Sequence, residues 1–259
     1  MGRESARAVV SAEDLELVLA VDPAFEGASL CDLCDPLDSA LKFLGSLEGA
    51  ISEAKAHVLL DFTQPEAAVP NALAALRAGV SPVVGTSGIG EKGLSDLRAE
   101  CEKTGVPAMV VPNFAIGAVL MMRFAEEAAR WLPDAEIVEM HHNRKADAPS
   151  GTAMLTAERI ASARTGDPQP DPTRSVKAPG ARGGSHLGVP VHSVRLPGLL
   201  AHQCVLFGGP GEALTIRHDS LDRSSFMPGV LLAIRSVRGL SGLVVGLDSL
   251  LFGCDGPGA

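Results

Sequence analysis

The sequence predicts an α/β protein, with a Rossmann-like dinucleotide-binding domain that lacks its first strand and an α+β domain with a mixed sheet. Short apolar stretches alternate with helical stretches up to residue 131, as in a parallel sheet covered by helices. Beyond residue 184, three strand-like stretches follow one another without helices, which favours an antiparallel or mixed sheet. The 259 residues are 46% hydrophobic, which is enough for one large domain or two smaller ones.

The elements of the first domain can be assigned in order along the chain. A short helix is predicted at residues 3–13. Apolar strands are predicted at residues 15–21, 57–62, 80–84 and 107–111. The remaining helices are predicted at residues 65–78, from a glycine-rich turn to about residue 103, and at residues 117–131.

The second half opens with a strand that leads into a histidine pair. The predicted elements are a strand at residues 135–140, a helix at 150–163, and strands at 189–195, 201–208 and 213–219. A final helix at residues 226–238 is predicted to pack back on the first domain.

Charge and composition exclude several classes of partner. The formal net charge is −9, so a nucleic-acid duplex or a membrane surface would repel the chain. One tryptophan and no tyrosine make a base-stacking platform improbable. No apolar run approaches the roughly 20 residues of a membrane span, and the N-terminus lacks the apolar core of a signal peptide. We therefore expect a cytoplasmic protein with a small-molecule substrate.

The cysteines predict no metal site. Cys31 and Cys34 form a single C-x-x-C, and the other three of the five cysteines are scattered. A structural zinc site needs a second pair or histidines at matching spacing. Neither is present, so reduced and unligated thiols are expected.

Asp22 is the candidate for binding the adenosine ribose. It follows the strand at residues 15–21, and an acid in that place can accept hydrogen bonds from ribose hydroxyls. Such an acid lies about 20 residues after the glycine turn, and counting back reaches Gly2. The first strand and most of the glycine-rich loop would then precede Met1, so we expect a truncated or misassigned start. The alternative, that Asp22 merely ends a strand, is equally open at this point.

Two further turns lie where a cofactor would meet the sheet. Gly85-Thr86-Ser87 follows one predicted strand, and Asn113-Phe114 follows the next. Ligands of doubly wound sheets bind at the carboxyl ends of the strands. The G-x-G-x-x-G run at residues 88–93 is not followed about 20 residues later by an acid, so it is not taken as the pyrophosphate loop. Taken singly, each of these segments could also be an ordinary turn without a binding role.

The strongest chemical signal is the cationic run His141-His142-Asn143-Arg144-Lys145. Pro149 and Ser150 then prepare a helix start, with Ser150 as N-cap. The N–H groups of Gly151 and Thr152 would face a substrate carboxylate there, assisted by the helix dipole. Imidazole and ammonium donors beside such a cradle suit a reaction that adds a hydride and a proton to an anion. The alternative is a solvated basic loop with a helix cap.

The run Glu139 to Ala153 resembles the signature of the 4-hydroxy-tetrahydrodipicolinate reductase (dihydrodipicolinate reductase) family of diaminopimelate and lysine biosynthesis. Shorter runs resemble that family in the same order, namely residues 61–66, 84–88, 112–117 and 223–226. The resemblance implies that residues 1–113 and 224–259 form the dinucleotide-binding domain. It implies that residues 114–223 bind substrate and build a homotetramer.

The resemblance also implies roles for individual residues. His141 matches the acid/base residue and Lys145 the proton donor, although which of them delivers the proton stays open. Substrate-binding positions are matched by His142, Ser150, Gly151, Thr152 and Arg223. Cofactor-binding positions are matched by Met1, Asp22, Gly85, Thr86, Ser87, Val111, Pro112, Asn113 and Phe114. The implied reaction is the NADH- or NADPH-dependent reduction of 4-hydroxy-tetrahydrodipicolinate, a dicarboxylate, to tetrahydrodipicolinate with loss of water.

Two departures from the family pattern bear on function. The chain begins at what resembles the last Met-Gly of the family's glycine-rich loop, which would weaken cofactor binding. Pro23 stands after Asp22 where some relatives carry a basic residue, so NADH is expected to be preferred over NADPH. The competing hypotheses are another two-domain amino-acid-pathway dehydrogenase, and a dinucleotide-binding remnant without turnover.

Overall fold

The computed structural model describes residues 1–33 and 41–253. Cys34 and Cys254 therefore lie outside the described residues, and the cysteine prediction is not tested for them. The contacts divide the chain into two compact units. The first unit comprises Met1–Phe114 and Phe226–Ala259, and the second comprises Ala115–Ser225.

The described residues form eleven β-strands. They are β1 (Ala20–Val21), β2 (Phe43–Leu44), β3 (Val58–Asp61), β4 (Ser81–Val84), β5 (Ala108–Val110), β6 (Asp134–His141), β7 (Gly184–His186), β8 (Val189–Arg195), β9 (Ala201–Gly209), β10 (Glu212–Ser220) and β11 (Leu243–Val245).

The α-helices follow the same order. They are α1 (Gly2–Val10), α2 (Leu30–Leu33), α3 (Ala50–Glu53), α4 (Pro65–Arg77), α5 (Glu91–Thr104), α6 (Ile116–Ala129), α7 (Gly151–Ala163), α8 (Met227–Ser236) and α9 (Asp248–Phe252). Short 3-10 helices lie at Pro23–Phe25, Arg223–Phe226 and Val237–Gly239.

The first unit contains a four-stranded parallel sheet in the order β11-β5-β4-β3. This confirms the predicted Rossmann-like arrangement of strands alternating with helices. Helices α4 and α5 pack on the sheet, where Leu76, Leu97 and Val84 are buried in one cluster. The same unit holds a separate parallel pair, β1 and β2, which does not join the four-stranded sheet within the described residues. The strand predicted at residues 15–21 is therefore reduced to two residues.

The C-terminal segment belongs to the first unit. Strand β11 pairs with β5, and helix α8 packs on α1. Gly229 of α8 lies so close to the chain that a Cβ atom there would be 2.0 Å from the carbonyl oxygen of Phe114. Only glycine admits this approach, so α8 is pressed against the segment that follows β5.

The second unit contains a five-stranded mixed sheet in the order β10-β9-β6-β8-β7. Only the β6–β8 pair is parallel among its described strands. One face is covered by α6 and α7, and Ile137, Val205 and Phe207 on that face are buried. The other face is partly exposed, and its Leu206 is 42% accessible. This confirms the predicted mixed sheet.

Helix α6 ends beside the single tryptophan of the sequence. Trp131 is 81% exposed, and Phe124 on the same helix is 53% exposed. Among the described residues, no helix combines the length and the apolarity needed to cross a membrane.

Candidate active site

Strand β6 brings a carboxylate and an imidazole to one face of the second sheet. Side chains alternate between faces along a strand, so Ile137, Glu139 and His141 share the buried face. Glu139 is fully buried at 0% exposure. The parallel register places His141 beside Arg195 at the end of β8, and the antiparallel register places it beside Ala201 of β9.

The Glu139 carboxylate accepts hydrogen bonds from three different parts of the unit. Its Oε2 lies 2.5 Å from Nδ1 of His141. The Arg195 guanidinium donates to both carboxylate oxygens, each at 2.8 Å. The backbone N–H of Ser150 donates to Oε1 at 3.2 Å. A buried carboxylate with this many donors is fully satisfied, as its burial requires.

These contacts decide the ionisation of Glu139. Burial alone opposes the charged form, but hydrogen bonds from His141, Arg195 and Ser193 outweigh it and lower the pKa of Glu139 from 4.5 to about 2. Glu139 is therefore an anion throughout the physiological pH range. Arg195 pairs with it through both carboxylate oxygens.

Arg195 also holds the loop that carries Lys145. Its Nη2 donates to the carbonyl oxygen of Asp147 at 2.7 Å. Within this loop, the N–H of Lys145 donates to the carbonyl oxygen of His142 at 3.1 Å, which closes a turn directly after β6. The loop is thus tied both to the end of the strand and to the buried ion pair.

The ammonium group of Lys145 lies against Asp147. Nζ donates to the two carboxylate oxygens at 2.7 and 2.9 Å. This hydrogen bond is the main reason that the pKa of Asp147 is lowered from its ordinary value. The Lys145 side chain is 21% exposed and that of Asp147 is 61% exposed, so the pair is open to solvent on one side.

Helix α7 begins as the sequence predicted. Ser150 is the N-cap, and its Oγ accepts a hydrogen bond from the N–H of Ala153 at 3.2 Å. Gly151 is the first helical residue of a helix of 13 residues. The first N–H groups of a helix have no carbonyl partner within it, and the dipole there favours an anion. Glu139 and Arg195 therefore anchor His141, the Lys145 loop and this helix start together.

The two remaining predicted substrate residues differ in their placement. The Nδ1 atom of His142 is buried and has no hydrogen-bond partner among the described atoms. Arg223 is exposed and begins the 3-10 helix after β10. No contact recorded among the described residues joins Arg223 to His141 or Lys145. Ser220 pairs with Ala201, and Ala201 pairs with His141. The chain that leads to Arg223 therefore leaves the sheet at the end where His141 lies.

Seven of the nine predicted cofactor residues follow the carboxyl ends of β4 and β5. The N–H of Gly85 donates to the carbonyl oxygen of Asp61 at 2.8 Å, and Oγ1 of Thr86 donates to the carbonyl oxygen of Thr63 at 2.8 Å. Thr86 is buried, whereas Ser87 is exposed. The turns after β3 and β4 are thereby linked to each other.

Gly85 is closely enclosed by two aromatic rings. The rings of Phe62 and Phe114 meet edge to face with centroids 5.6 Å apart. A Cβ atom at Gly85 would lie 2.2 Å from the Phe62 ring and 2.8 Å from the Phe114 ring. Val111 is buried and bonded to the carbonyl oxygen of Val84, while Pro112 is exposed and Asn113 is half-buried. Only glycine therefore fits at residue 85 without moving the aromatic pair.

Asp22 and Met1 lie at the ends of two other elements of the first unit. Asp22 directly follows β1, and its Oδ1 accepts a hydrogen bond from the N–H of Ala24 at 3.0 Å. Met1 is the N-cap of α1, which has no side-chain cap. A dinucleotide needs a carboxylate for its ribose, a helix N-terminus for its phosphates and a glycine turn for its nicotinamide. The first unit has Asp22, the start of α1 and the Gly85 turn, so the residues present fit such a cofactor.

Sequence reasoning missed three residues that hold the candidate site together. Glu139 carried a signal, because a charged residue at a buried-face position of a strand requires partners. Arg195 carried none, because its contact with Glu139 depends on the pairing of β6 with β8. Asp147 was missed although it lies only two residues after Lys145. Within the described residues, no cluster of three or more His, Cys, Asp or Glu side chains is arranged to hold a metal ion.

Family models match both units. The N-terminal model of dihydrodipicolinate reductase matches residues 1–114, and the C-terminal model matches residues 117–251. The chain belongs to the dihydrodipicolinate reductase family. This confirms the resemblance drawn from the run around His141.

Curated members of the dihydrodipicolinate reductase family are similar over almost the whole chain. The 4-hydroxy-tetrahydrodipicolinate reductase of Desulfitobacterium hafniense (strain DSM 10664 / DCB-2) is 48% identical, over 97% of this chain and 94% of the relative. That of Moorella thermoacetica is 49% identical over the same shares. These relatives carry the name of an oxidoreductase.

Solved structures give the same result. Dipicolinate-bound dihydrodipicolinate reductase from Paenisporosarcina sp. TG-14 has a TM-score of 0.84 and 43% identity, covering 96% of this chain and 94% of that chain. An amine dehydrogenase from Mycobacterium smegmatis has a TM-score of 0.64 at 12% identity, covering 94% of this chain and 91% of that chain, and shows a shared fold only.

Proposed function

We propose that the protein reduces 4-hydroxy-tetrahydrodipicolinate to tetrahydrodipicolinate with loss of water, in lysine and diaminopimelate biosynthesis. The observation that carries this proposal is the convergence of His141, the Lys145 loop and the start of α7 on one buried ion pair. Family membership supports it, as do the names of relatives that match 97% of the chain. The dipicolinate-bound relative supports a ring dicarboxylate as the substrate class.

The substrate would be held by the groups around α7. One carboxylate would accept from the N–H groups of Gly151 and Thr152 at the start of the helix that Ser150 caps. His142 would pair with the substrate through its buried Nδ1 atom. Arg223 is assigned to the substrate by family resemblance. The ammonium of Lys145 supplies positive charge beside the ring.

His141 and Lys145 would manage the protons. Because Nδ1 of His141 faces Glu139, Nε2 is the ring nitrogen that can exchange a proton with the substrate. Lys145 would donate a proton to the reduced substrate, with Asp147 holding its ammonium in place until then. Each hydride added to the ring requires one proton, which His141 or Lys145 would supply.

The reductant would be a nicotinamide cofactor, which supplies the hydride when bound. Asp22 would bind the adenosine ribose and the α1 start at Met1 the phosphates. Gly85, Thr86 and Ser87 would line the nicotinamide side, together with Val111, Pro112, Asn113 and Phe114. NADH is preferred over NADPH in this proposal, because the carboxylate of Asp22 repels a 2′-phosphate.

The proposal includes a cytoplasmic homotetramer. The homotetramer is assigned by the family resemblance. Light scattering at known protein concentration measures the assembly directly.

The test is a turnover assay on the purified chain with freshly prepared 4-hydroxy-tetrahydrodipicolinate. Oxidation of NADH should depend on this substrate, and the product should be tetrahydrodipicolinate by mass spectrometry. Oxidation driven equally well by unrelated imines or 2-oxo acids would favour a different two-domain dehydrogenase. Cofactor binding without any turnover would refute the proposed function.

A further inference from the structure

We propose that the buried Glu139–Arg195 ion pair is a positioning unit, which sets the tautomer of His141 and fixes the loop that carries Lys145. This inference deepens the proposed function and rests on it for the kinetic part only. Neither residue would contact the substrate. Both would act through His141 and Lys145, which are proposed to contact it.

The first argument is where the hydrogen bonds of the pair go. Glu139 receives donors from His141 and from the N–H of Ser150, in addition to Arg195. Arg195 donates in turn to the carbonyl oxygen of Asp147. The strand end, the Lys145 loop and the cap of α7 are thus joined to one buried group. The one other hydrogen bond recorded for Arg195 goes to the adjacent carbonyl of Val194.

The second argument is the free-energy cost of burying the ion pair. Removing a carboxylate and a guanidinium from water carries a penalty that their mutual attraction often fails to recover, so well-packed apolar residues are frequently as stable. Stability alone therefore does not explain why Glu139, which is wholly buried, forms an ion pair at this place. A role in fixing the geometry of three segments of the site explains it better.

The third argument concerns the proton on His141. A carboxylate can only accept, so the neutral ring must carry its hydrogen on Nδ1, 2.5 Å from Glu139. Nε2 is then the acceptor in the neutral ring and the donor in the protonated ring. The geometry keeps Nε2 ready for acid and base chemistry, whereas an unfixed imidazole would populate both tautomers.

The substitution Glu139→Gln tests this logic because it keeps the shape and removes the charge. The Oε1 position faces two groups that can only donate, the N–H of Ser150 and Nη2 of Arg195, so the amide oxygen would take that position and the amide NH₂ would lie at the Oε2 position beside His141. That NH₂ can only donate, so Nδ1 must become an acceptor and the hydrogen moves to Nε2. A comparable exchange at the carboxylate of a Ser-His-Asp triad lowers kcat about 10⁴-fold through the wrong tautomer.

Glu136 offers a matched control on the same strand. It is also paired with an arginine and a histidine, Arg182 and His192. Three residues before Glu139, it lies on the opposite face of β6. Its recorded partners include none of the predicted site residues. Glu136→Gln removes the same charge without touching His141.

The experiment compares wild type, Glu139→Gln and Glu136→Gln in the full chain. Proteins with ¹⁵N-labelled histidine report the imidazole tautomers by NMR, and His141→Gln assigns the signal among the seven histidines. We expect the His141 signal to change from Nδ1–H to Nε2–H in Glu139→Gln only. We also expect kcat to fall at least tenfold in that variant, with the KM for NADH unchanged.

The outcomes separate the two proposals. If wild type lacks turnover but Glu139→Gln alone changes the tautomer, the proposed function fails and the structural half of the inference stands. If wild type turns over and both glutamate variants match it in kcat and in tautomer, the inference is overturned.

A second variant covers the case in which Glu139→Gln does not fold. Arg195→Lys keeps a buried cation but loses the two-pronged contact and the bond to Asp147. We expect a lower kcat and a higher KM for the dicarboxylate, because the Lys145 loop is released. Wild-type values for both constants in Arg195→Lys would equally overturn the inference.

Discussion

The ammonium of Lys145 is clamped by both carboxylate oxygens of Asp147, at 2.7 and 2.9 Å. These two hydrogen bonds fix the position of the Lys145 side chain against Asp147, which lies two residues later in the chain. In the proposed function, a dicarboxylate that enters would share this ammonium with Asp147.

The first prediction concerns Lys145. Lys145→Ala should lower kcat by two or more orders of magnitude, since a positioned proton donor contributes about 10²- to 10⁴-fold. The dissociation constant for NADH should stay within about twofold of wild type, because the proposed cofactor residues belong to the other unit. Stopped-flow kinetics and NADH titration measure the two quantities. Normal turnover in Lys145→Ala would remove Lys145 from the mechanism.

The second prediction concerns acid stability. The pKa of Glu139 is about 2 in the fold against an ordinary 4.5, although its burial alone would raise it. A lowered folded-state pKa means that Glu139 stabilises the fold above about pH 4.5 and loses this contribution as the pH falls towards 2. The contribution is on the order of 3 kcal/mol.

Urea unfolding of wild type and Glu139→Gln at several pH values measures this contribution. The difference between their free energies of unfolding should shrink steadily on acidification below about pH 4.5. A difference that stays constant down to the lowest accessible pH would contradict the assignment of Glu139 as a stabilised anion.

The third prediction concerns the turn after β4. Gly85→Ser would push a Cβ atom to 2.2 Å from the Phe62 ring, so the aromatic pair or the turn must move. Such overpacking costs about 1–3 kcal/mol, and we expect a raised KM for NADH. Gly90→Ser is the control, because no atom lies within 4 Å of a Cβ there and serine suits the N-cap of α5. Equal effects of the two substitutions would argue against a cofactor role of the Gly85 turn.

The fourth prediction concerns the cap of α7. Ser150→Ala removes the acceptor for the N–H of Ala153 and should cost about 1 kcal/mol of unfolding free energy. Because the same helix start is proposed to bind a carboxylate, the KM for the dicarboxylate should rise as well. Ser150→Thr restores a hydroxyl acceptor and should recover most of both losses. Loss of stability with an unchanged KM would separate the cap from substrate binding.

The fifth prediction concerns cofactor choice. The carboxylate of Asp22 follows β1 and is proposed to repel the 2′-phosphate of NADPH. The ratio of kcat/KM for NADH to that for NADPH should exceed one in wild type and fall in Asp22→Asn. A strong preference of wild type for NADPH would contradict this reading of Asp22.

Long, strongly patterned elements were predictable from the sequence. The alternating burial of β6 and the helical periodicity of α6 are each set by neighbouring residues, and both appear within a few residues of the predicted bounds. Strands β2 and β11 were missed because two or three residues carry no readable alternation. Their pairing depends on partners elsewhere in the chain.

The candidate site divides in the same way. The cap at Ser150 was predicted because a helix cap is written in adjacent residues. The ion pair of Glu139 with Arg195 joins residues 56 positions apart, so only the register of β6 and β8 creates it. Local sequence patterns predict the residues proposed to bind a ligand. The residues that position those side chains can be identified only from the three-dimensional fold.

Trp131 determines how unfolding of this protein can be followed by optical spectroscopy. It is the single tryptophan in a sequence without tyrosine, and it is 81% exposed. Its fluorescence maximum in the native chain should already resemble that of the unfolded chain, so intrinsic emission will show little change on denaturation. Circular dichroism suits unfolding better, while the wavelength and quenching of Trp131 emission report on any subunit that comes to cover the end of α6.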